Sequence, residues 1–112
     1  MSQSLACNLA IGSTVRVKCT ATRGMFPYEL GVLVRGRDQF YETMVDAELV
    51  QVEGGEIPDD EARPATIKAQ VVNVNGENVL VELPRQVVTG DRRIWVPISE
   101  VAGYGDSVAT GD

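Results

Sequence analysis

The stretch Ile67-Lys68-Ala69-Gln70-Val71-Val72-Asn73-Val74-Asn75-Gly76-Glu77-Asn78-Val79-Leu80-Val81-Glu82-Leu83 decides the fold class. Asn75-Gly76 is the strongest short hairpin signal a sequence offers, because a two-residue type I′ turn needs φ > 0 at both positions. It predicts strands over Ile67–Val74 and Glu77–Leu83, both rich in β-branched residues that nearly alternate with polar ones. Continued as a straight ladder, that turn sets Gln70 against Val81 and Lys68 against Leu83, which wastes two core side chains. One extra residue at Val71-Val72 instead brings Ala69 opposite Val81 and Ile67 opposite Leu83. A β-bulge is therefore predicted there, since a one-residue slip exchanges the two faces of a strand. A bulge of this kind also bends its strand and curls the sheet.

Outward from the hairpin, the same grammar repeats. Arg93-Ile94-Trp95-Val96 reads as another strand, ended by Pro97, which has no N–H to pair. Upstream, Thr14–Cys19 alternates with Val15 and Val17 inward and Arg16 and Lys18 outward, and Thr20–Glu29 reads as a loop broken by Gly24 and Pro27. Leu30–Arg35 is a second strand, turned by Gly36-Arg37-Asp38. Residues 39–52 are ambiguous: Tyr41, Val45, Leu49 and Val52 would stripe a helix, whereas Thr43, Val45, Val50 and Val52 favour strands. The reading adopted is a strand at Phe40–Val45 and another near Leu49–Val52, with a short turn between them.

The chain divides into a first β half (residues 11–53), an acidic Pro/Gly loop (54–64), a second β half (65–103) and a flexible tail (104–112). A polar N-terminal arm, residues 1–10, precedes them. All of this fits one domain: 112 residues suffice to bury roughly 65% of the unfolded surface without staples. The architecture expected is all-β, a small SH3-like barrel or paired half-barrels with short 3₁₀ turns.

The SH3-like part of that expectation rests on a resemblance. Trp95-Val96-Pro97-Ile98-Ser99-Glu100-Val101 resembles the ending of SH3-like barrels: strand, proline, one 3₁₀ turn and a last short strand. Gly12-Ser13-Thr14-Val15-Arg16-Val17 resembles their first strand. Met44-Val45-Asp46-Ala47-Glu48-Leu49-Val50 loosely echoes the same ending in the first half. The resemblance implies a fold and not an activity, because fold alone does not fix function. The acidic RT-loop pattern and paired aromatics of peptide-binding SH3 domains are absent, so it does not imply a proline-rich ligand.

Composition narrows the chemistry. The chain has no histidine, which removes the commonest general base and metal ligand, and with it every Ser-His-Asp, Cys-His and H-E-x-x-H arrangement. No P-loop or G-x-G-x-x-G opens a helix. Cys7 and Cys19 form no CxxC pair, so neither a metal site nor a cofactor is expected; Cys19 reads as a buried core residue and Cys7 as part of the arm. The segment before Cys7 is too short and too polar for a signal peptide, so the expected setting is the cytoplasm, with free thiols.

The net charge of −6 is uneven. Five bases face two acids over residues 1–40; residues 41–62 hold eight acids and no base; from Arg63 onward five bases face six acids. This balance argues against general nucleic-acid binding, which depends on neutralising phosphates. No apolar run approaches the ~18 residues of a membrane span. The acids of 54–64 lack the alternation of a calcium loop.

One constellation has recognition character: Arg85, Arg92, Arg93 and Trp95 around the loop 84–91. By alternation Ile94, Val96 and Ile98 share the inner face, leaving Trp95 outside beside Arg93. That arrangement suits an interface anchor or a base-stacking platform; a purely structural reading packs Trp95 under a loop with Arg93 stacked on it. Phe26 and Tyr28 are further aromatic area that one thin core does not cover. The sequence thus favours a non-enzymatic binding module, contacting another protein or itself as a homodimer. The alternatives are a small-molecule or catalytic barrel with a pocket between halves or subunits, and a single-stranded nucleic-acid binder using Trp95 and the arginines.

Overall fold

The computed structural model describes residues 9–24, 26–57, 61–88 and 90–102. Seven strands form one antiparallel sheet: β1 (Thr14–Arg23), β2 (Glu29–Arg35), β3 (Phe40–Asp46), β4 (Val50–Val52), β5 (Arg63–Asn75), β6 (Asn78–Glu82) and β7 (Arg93–Pro97). Their order is β3-β2-β1-β5-β6-β7, with β4 beside the first part of β5. Two single 3₁₀ turns, Ala47–Leu49 and Ile98–Glu100, are the only helical elements among the described residues. None is long and apolar enough to cross a membrane. The sheet curls into a half-barrel whose inner face is almost wholly aliphatic.

The inner face follows from alternation. Val15, Val17, Cys19 and Ala21 of β1 turn inward, as do Ala65, Ile67, Ala69 and Val71 of β5. Val79, Val81 and Leu83 meet them from the β6 side, and Ile94 and Val96 from β7. Each fully buried Val, Leu or Ile contributes about 1.5–3 kcal/mol relative to an exposed one. Successive β-branched residues also suit a pleated, strongly curved surface.

The bulge lies where expected, with the register shifting between Val71 and Asn73. The turn lies one residue further on. Asn75 pairs with Asn78, so Gly76 and Glu77 form the loop, and Gly76 takes φ +65°. The partners shift accordingly, to Val71 opposite Val81 and Gln70 opposite Glu82, in place of Ala69 opposite Val81. The physical reason for the bulge is unchanged: a straight ladder from Asn75–Asn78 would set Val71 against Glu82, and leaving Val72 out of register puts Val71 against Val81.

Other boundaries need correction. β1 runs on through Thr20–Arg23, because Ala21 continues the inward alternation and the segment pairs with both β2 and β5. Residues 39–52, by contrast, hold the two strands that the adopted reading gave them, with a 3₁₀ turn between. Ile57, in the acidic loop, is buried and lends its carbonyl to Arg23 at 3.3 Å. The expectations for Cys7, the N-terminal arm before Leu9 and the tail from Gly103 lie outside the described residues.

The two halves repeat about the centre of the β1–β5 ladder. Thr14 pairs with Gln70, and its counterpart Pro64 pairs with Thr20; Val17 and Ile67 pair with each other. After its 3₁₀ turn, each half returns a short segment to the first strand of the other. Val50 pairs with Ile67, and Val101 bridges to Val17. The outer edges are drawn in reciprocally. The Arg37 N–H from the β2–β3 turn donates to the Trp95 carbonyl at 2.8 Å, and the Val88 N–H from the β6–β7 loop donates to the Glu42 carbonyl at 2.7 Å. The Thr43 hydroxyl, buried, donates to the Gln86 carbonyl at 2.7 Å.

Candidate functional site

Trp95 sits on the outer face of β7 opposite Leu80, with Ile94 and Val96 turned inward as the alternation required. Its ring is half-buried, and the guanidinium of Arg37 stands 5.5 Å from its centroid. The ring therefore carries a cation, but from the β2–β3 turn of the other half and not from Arg93. Arg93 is drawn to Glu82 at 3.0 Å, its cross-strand partner on β6. Arg92 donates to the carbonyls of Leu83 and Pro84 at 3.4 and 3.2 Å and lies 3.9 Å from Glu82. Arg85 reaches Asp46 at 3.8 Å, across to the first half. The basic residues of the constellation thus fasten the β6–β7 loop and pair with carboxylates.

Phe26 and Tyr28 occupy the β1–β2 turn and stack on each other, with ring centroids 5.9 Å apart and planes 10° from parallel. Both are exposed. They precede β2, whereas Arg37 follows it, so the structure sets these aromatics and the Arg37–Trp95 pair at opposite ends of one strand.

The more telling surface is one that alternation did not single out. Among the described residues, five of the seven exposed large hydrophobic side chains belong to the β1–β2 turn, β2 and β3: Phe26, Tyr28, Leu33, Phe40 and Met44. Leu33 lies opposite Glu42, and Met44 opposite Gly31, on the outward face. Two glycines make room for Met44. A Cβ at Gly24 would lie 2.9 Å from its Cε, and one at Gly31 3.3 Å from its Sδ, so the thioether lies over Gly31 of β2 and reaches Gly24 in the β1–β2 turn.

The internal repeat shows that this apolar character is not required by the fold. The counterparts of Leu33 and Glu42 are Glu82 and Arg93, also cross-strand partners, and they form an ion pair. The counterparts of Gly31 and Met44 are Leu80 and Trp95, the latter covered by Arg37. The same outward positions are closed in the second half, by an ion pair and a ring covered by Arg37, and leave Leu33 and Met44 exposed in the first. The available signal in the sequence was the unbroken apolar run Leu30–Val34, which leaves one of its members with no core to enter.

Among the described residues, Cys19 is the nucleophile whose character the structure alters. It is buried on β1, and desolvation pushes its thiol up to about 12, so it stays protonated and unreactive at neutral pH. Among the described residues, no three His, Cys, Asp or Glu side chains gather as a metal-ligand set. A cleft of about 440 Å³ between β1, β4 and β5 is lined by Lys18, Cys19, Gln51, Val52, Glu53 and Thr66 among others. Comparison with known proteins finds no matching family model, no matching curated protein and no matching solved structure.

Proposed function

We propose that this chain is a non-enzymatic, SH3-like small β-barrel module that binds a partner protein on the outer face of β2 and β3. The observation that carries the reading is the contrast between the halves. Where the second half closes its outer surface with the Glu82–Arg93 ion pair, the first exposes Leu33, Phe40 and Met44. Exposed apolar side chains gathered on one rigid sheet face mark interaction surfaces. Phe26 and Tyr28 on the adjoining turn supply aromatic anchors of the kind that dominate interfaces. Strand addition at the sheet edges is a poorer route to a partner, because Glu42 and Trp95 already accept backbone hydrogen bonds there.

The absence of histidine and the protonated state of Cys19 support a binding role over a catalytic one. Trp95, with its ring engaged by Arg37, serves this reading as a structural anchor and not as a stacking platform. A random peptide display selection tests it, using the full chain as bait and Leu33→Ser/Phe40→Ser as counter-bait. Peptides retained by the wild type and released by the variant are expected. Peptides held equally by both would overturn the reading, as would the failure to enrich any sequence.

A further inference from the structure

The outward face of β1, β2 and β5 also gathers cations that form no ion pair with a described carboxylate. Arg37, Arg63, Arg85, Arg92 and Arg93 each lie within 4 Å of a carboxylate. Lys18, Arg35 and Lys68 form no ion pair with a described residue, and Arg16 donates to the Thr66 hydroxyl at 3.3 Å. These four share the outward face of β1, β2 and β5. Arg16 and Lys68 are direct cross-strand partners, an arrangement of like charges that costs stability. Along β1, and along β5 as far as Gln70, no outward position holds a carboxylate. For a chain with 16 acids and 10 bases, this is an uneven distribution that the net charge hides.

The cations adjoin the apolar surface. A cleft of about 340 Å³ is lined by Lys18 and Arg35 together with Leu33, Phe40, Thr20 and Glu100. Its counterpart in the second half, about 300 Å³, is lined by Lys68 and Arg92 with Glu82. There Glu82 supplies a carboxylate from the chain itself, at the place that Leu33 takes in the first half. In the first cleft the bordering acids are Glu100 and, opposite Leu33, Glu42; neither pairs with Lys18 or Arg35.

We infer that the partner is an acidic polypeptide segment that alternates carboxylates with apolar side chains. Its carboxylates lie against Lys18 and Arg35, and its apolar residues lie on Leu33 and Phe40. The inference rests on the protein-binding reading above and names the chemistry of its ligand. A nucleic acid fits less well, because a long polyanion running past this cleft meets Glu100 in its lining and Glu42 opposite Leu33. A two-fold contact with a second copy fits less well too, since it would set this cation band against itself.

Fluorescence anisotropy on the full chain tests this with three labelled probes: a peptide alternating Glu and Leu, a matched peptide alternating Ser and Leu, and single-stranded oligothymidylate. The Glu–Leu peptide is expected to bind best, and Lys18→Gln/Arg35→Gln to weaken it by about tenfold, with a similar loss at high salt. Arg63→Gln, removing a cation already held by Glu61, should leave the affinity unchanged. If the Ser–Leu peptide binds as tightly, with Leu33→Ser abolishing it, the docking face stands and the acidic partner falls. If the Glu–Leu peptide binds but ignores Leu33→Ser, the apolar docking reading falls instead. Tighter binding of oligothymidylate than of either peptide, or no binding of the Glu–Leu peptide, overturns the inference.

Discussion

Val17 and Ile67 face each other across the β1–β5 ladder at the point about which the two halves of the chain repeat. Both are fully buried, and each also receives the returning segment of the opposite half, Val101 on Val17 and Val50 on Ile67. The pair therefore joins four segments, two from each half. Neither half completes its own sheet, which explains why a duplicated motif folds here as one unit.

Ile67→Ala is expected to destabilise the chain by about 2–5 kcal/mol, the range for truncating a buried isoleucine in a close-packed core. Because the site is shared, both halves should unfold in one transition. Chemical denaturation followed by Trp95 fluorescence, which reports the second half, and by far-ultraviolet circular dichroism, which reports the whole sheet, checks this. Two separated transitions would show that the halves are independent.

At the hairpin, Gly76 takes φ +65°, and a Cβ there would meet nothing within 4 Å. The cost of substitution is then conformational alone. Gly76→Val should lose at least about 1–2 kcal/mol, the penalty for an L residue in the left-handed region. Gly76→Asn should lose less, since asparagine tolerates that region. Equal denaturation midpoints for the two variants would argue against the turn.

The hairpin also shows how much the sequence could disclose. Its strands and the need for a bulge at Val71-Val72 followed from hydrophobic pairing, a local property. The turn centre did not, because an Asn-Gly pair is compatible with glycine in either of the two loop positions, and only the pairing of Asn75 with Asn78 decides. Residues at strand ends were harder still. Thr20 and Thr22 look like loop residues because their outward positions are polar, while Ala21 between them is fully buried. Of the candidate site, the outward position of Trp95 was legible from alternation through five residues. Its partner Arg37 was not, since that contact exists only once the sheet curls and brings the β2–β3 turn to β7. The open face of Leu33, Phe40 and Met44 stood out only against its counterpart in the second half.

The Arg37–Trp95 contact gives a sharp test of that last step. Arg37→Ala should shift Trp95 emission to longer wavelength and cost about 0.5–1 kcal/mol, the value of an exposed cation–π contact. The backbone bond from residue 37 to the Trp95 carbonyl remains in the variant and limits the loss. Arg93→Ala should leave the emission in place, because its guanidinium faces Glu82. The opposite pattern would restore the stacking of Arg93 that the sequence alone suggested.

Cys19 carries a prediction about alkaline pH. Its thiol has an ordinary value of 9.0, and burial raises it to about 12 in the folded chain. Between these values the unfolded chain has lost the proton and the folded chain keeps it. The folded state then binds more protons, so stability falls as pH rises. Below pH 9.0 both states are protonated and Cys19 adds no pH dependence. The variant that isolates the effect is Cys19→Ala, because Ala69 fills the equivalent inward position of β5 and shows that alanine suits this place in the fold. Urea midpoints measured from neutral pH up to about pH 11 should decline more steeply for the wild type than for Cys19→Ala, by up to about one proton's worth of slope. All other groups are common to both proteins and cancel in the difference. Parallel slopes would mean that the thiol is open to water, and rapid modification of the folded protein by a thiol reagent at neutral pH would show the same.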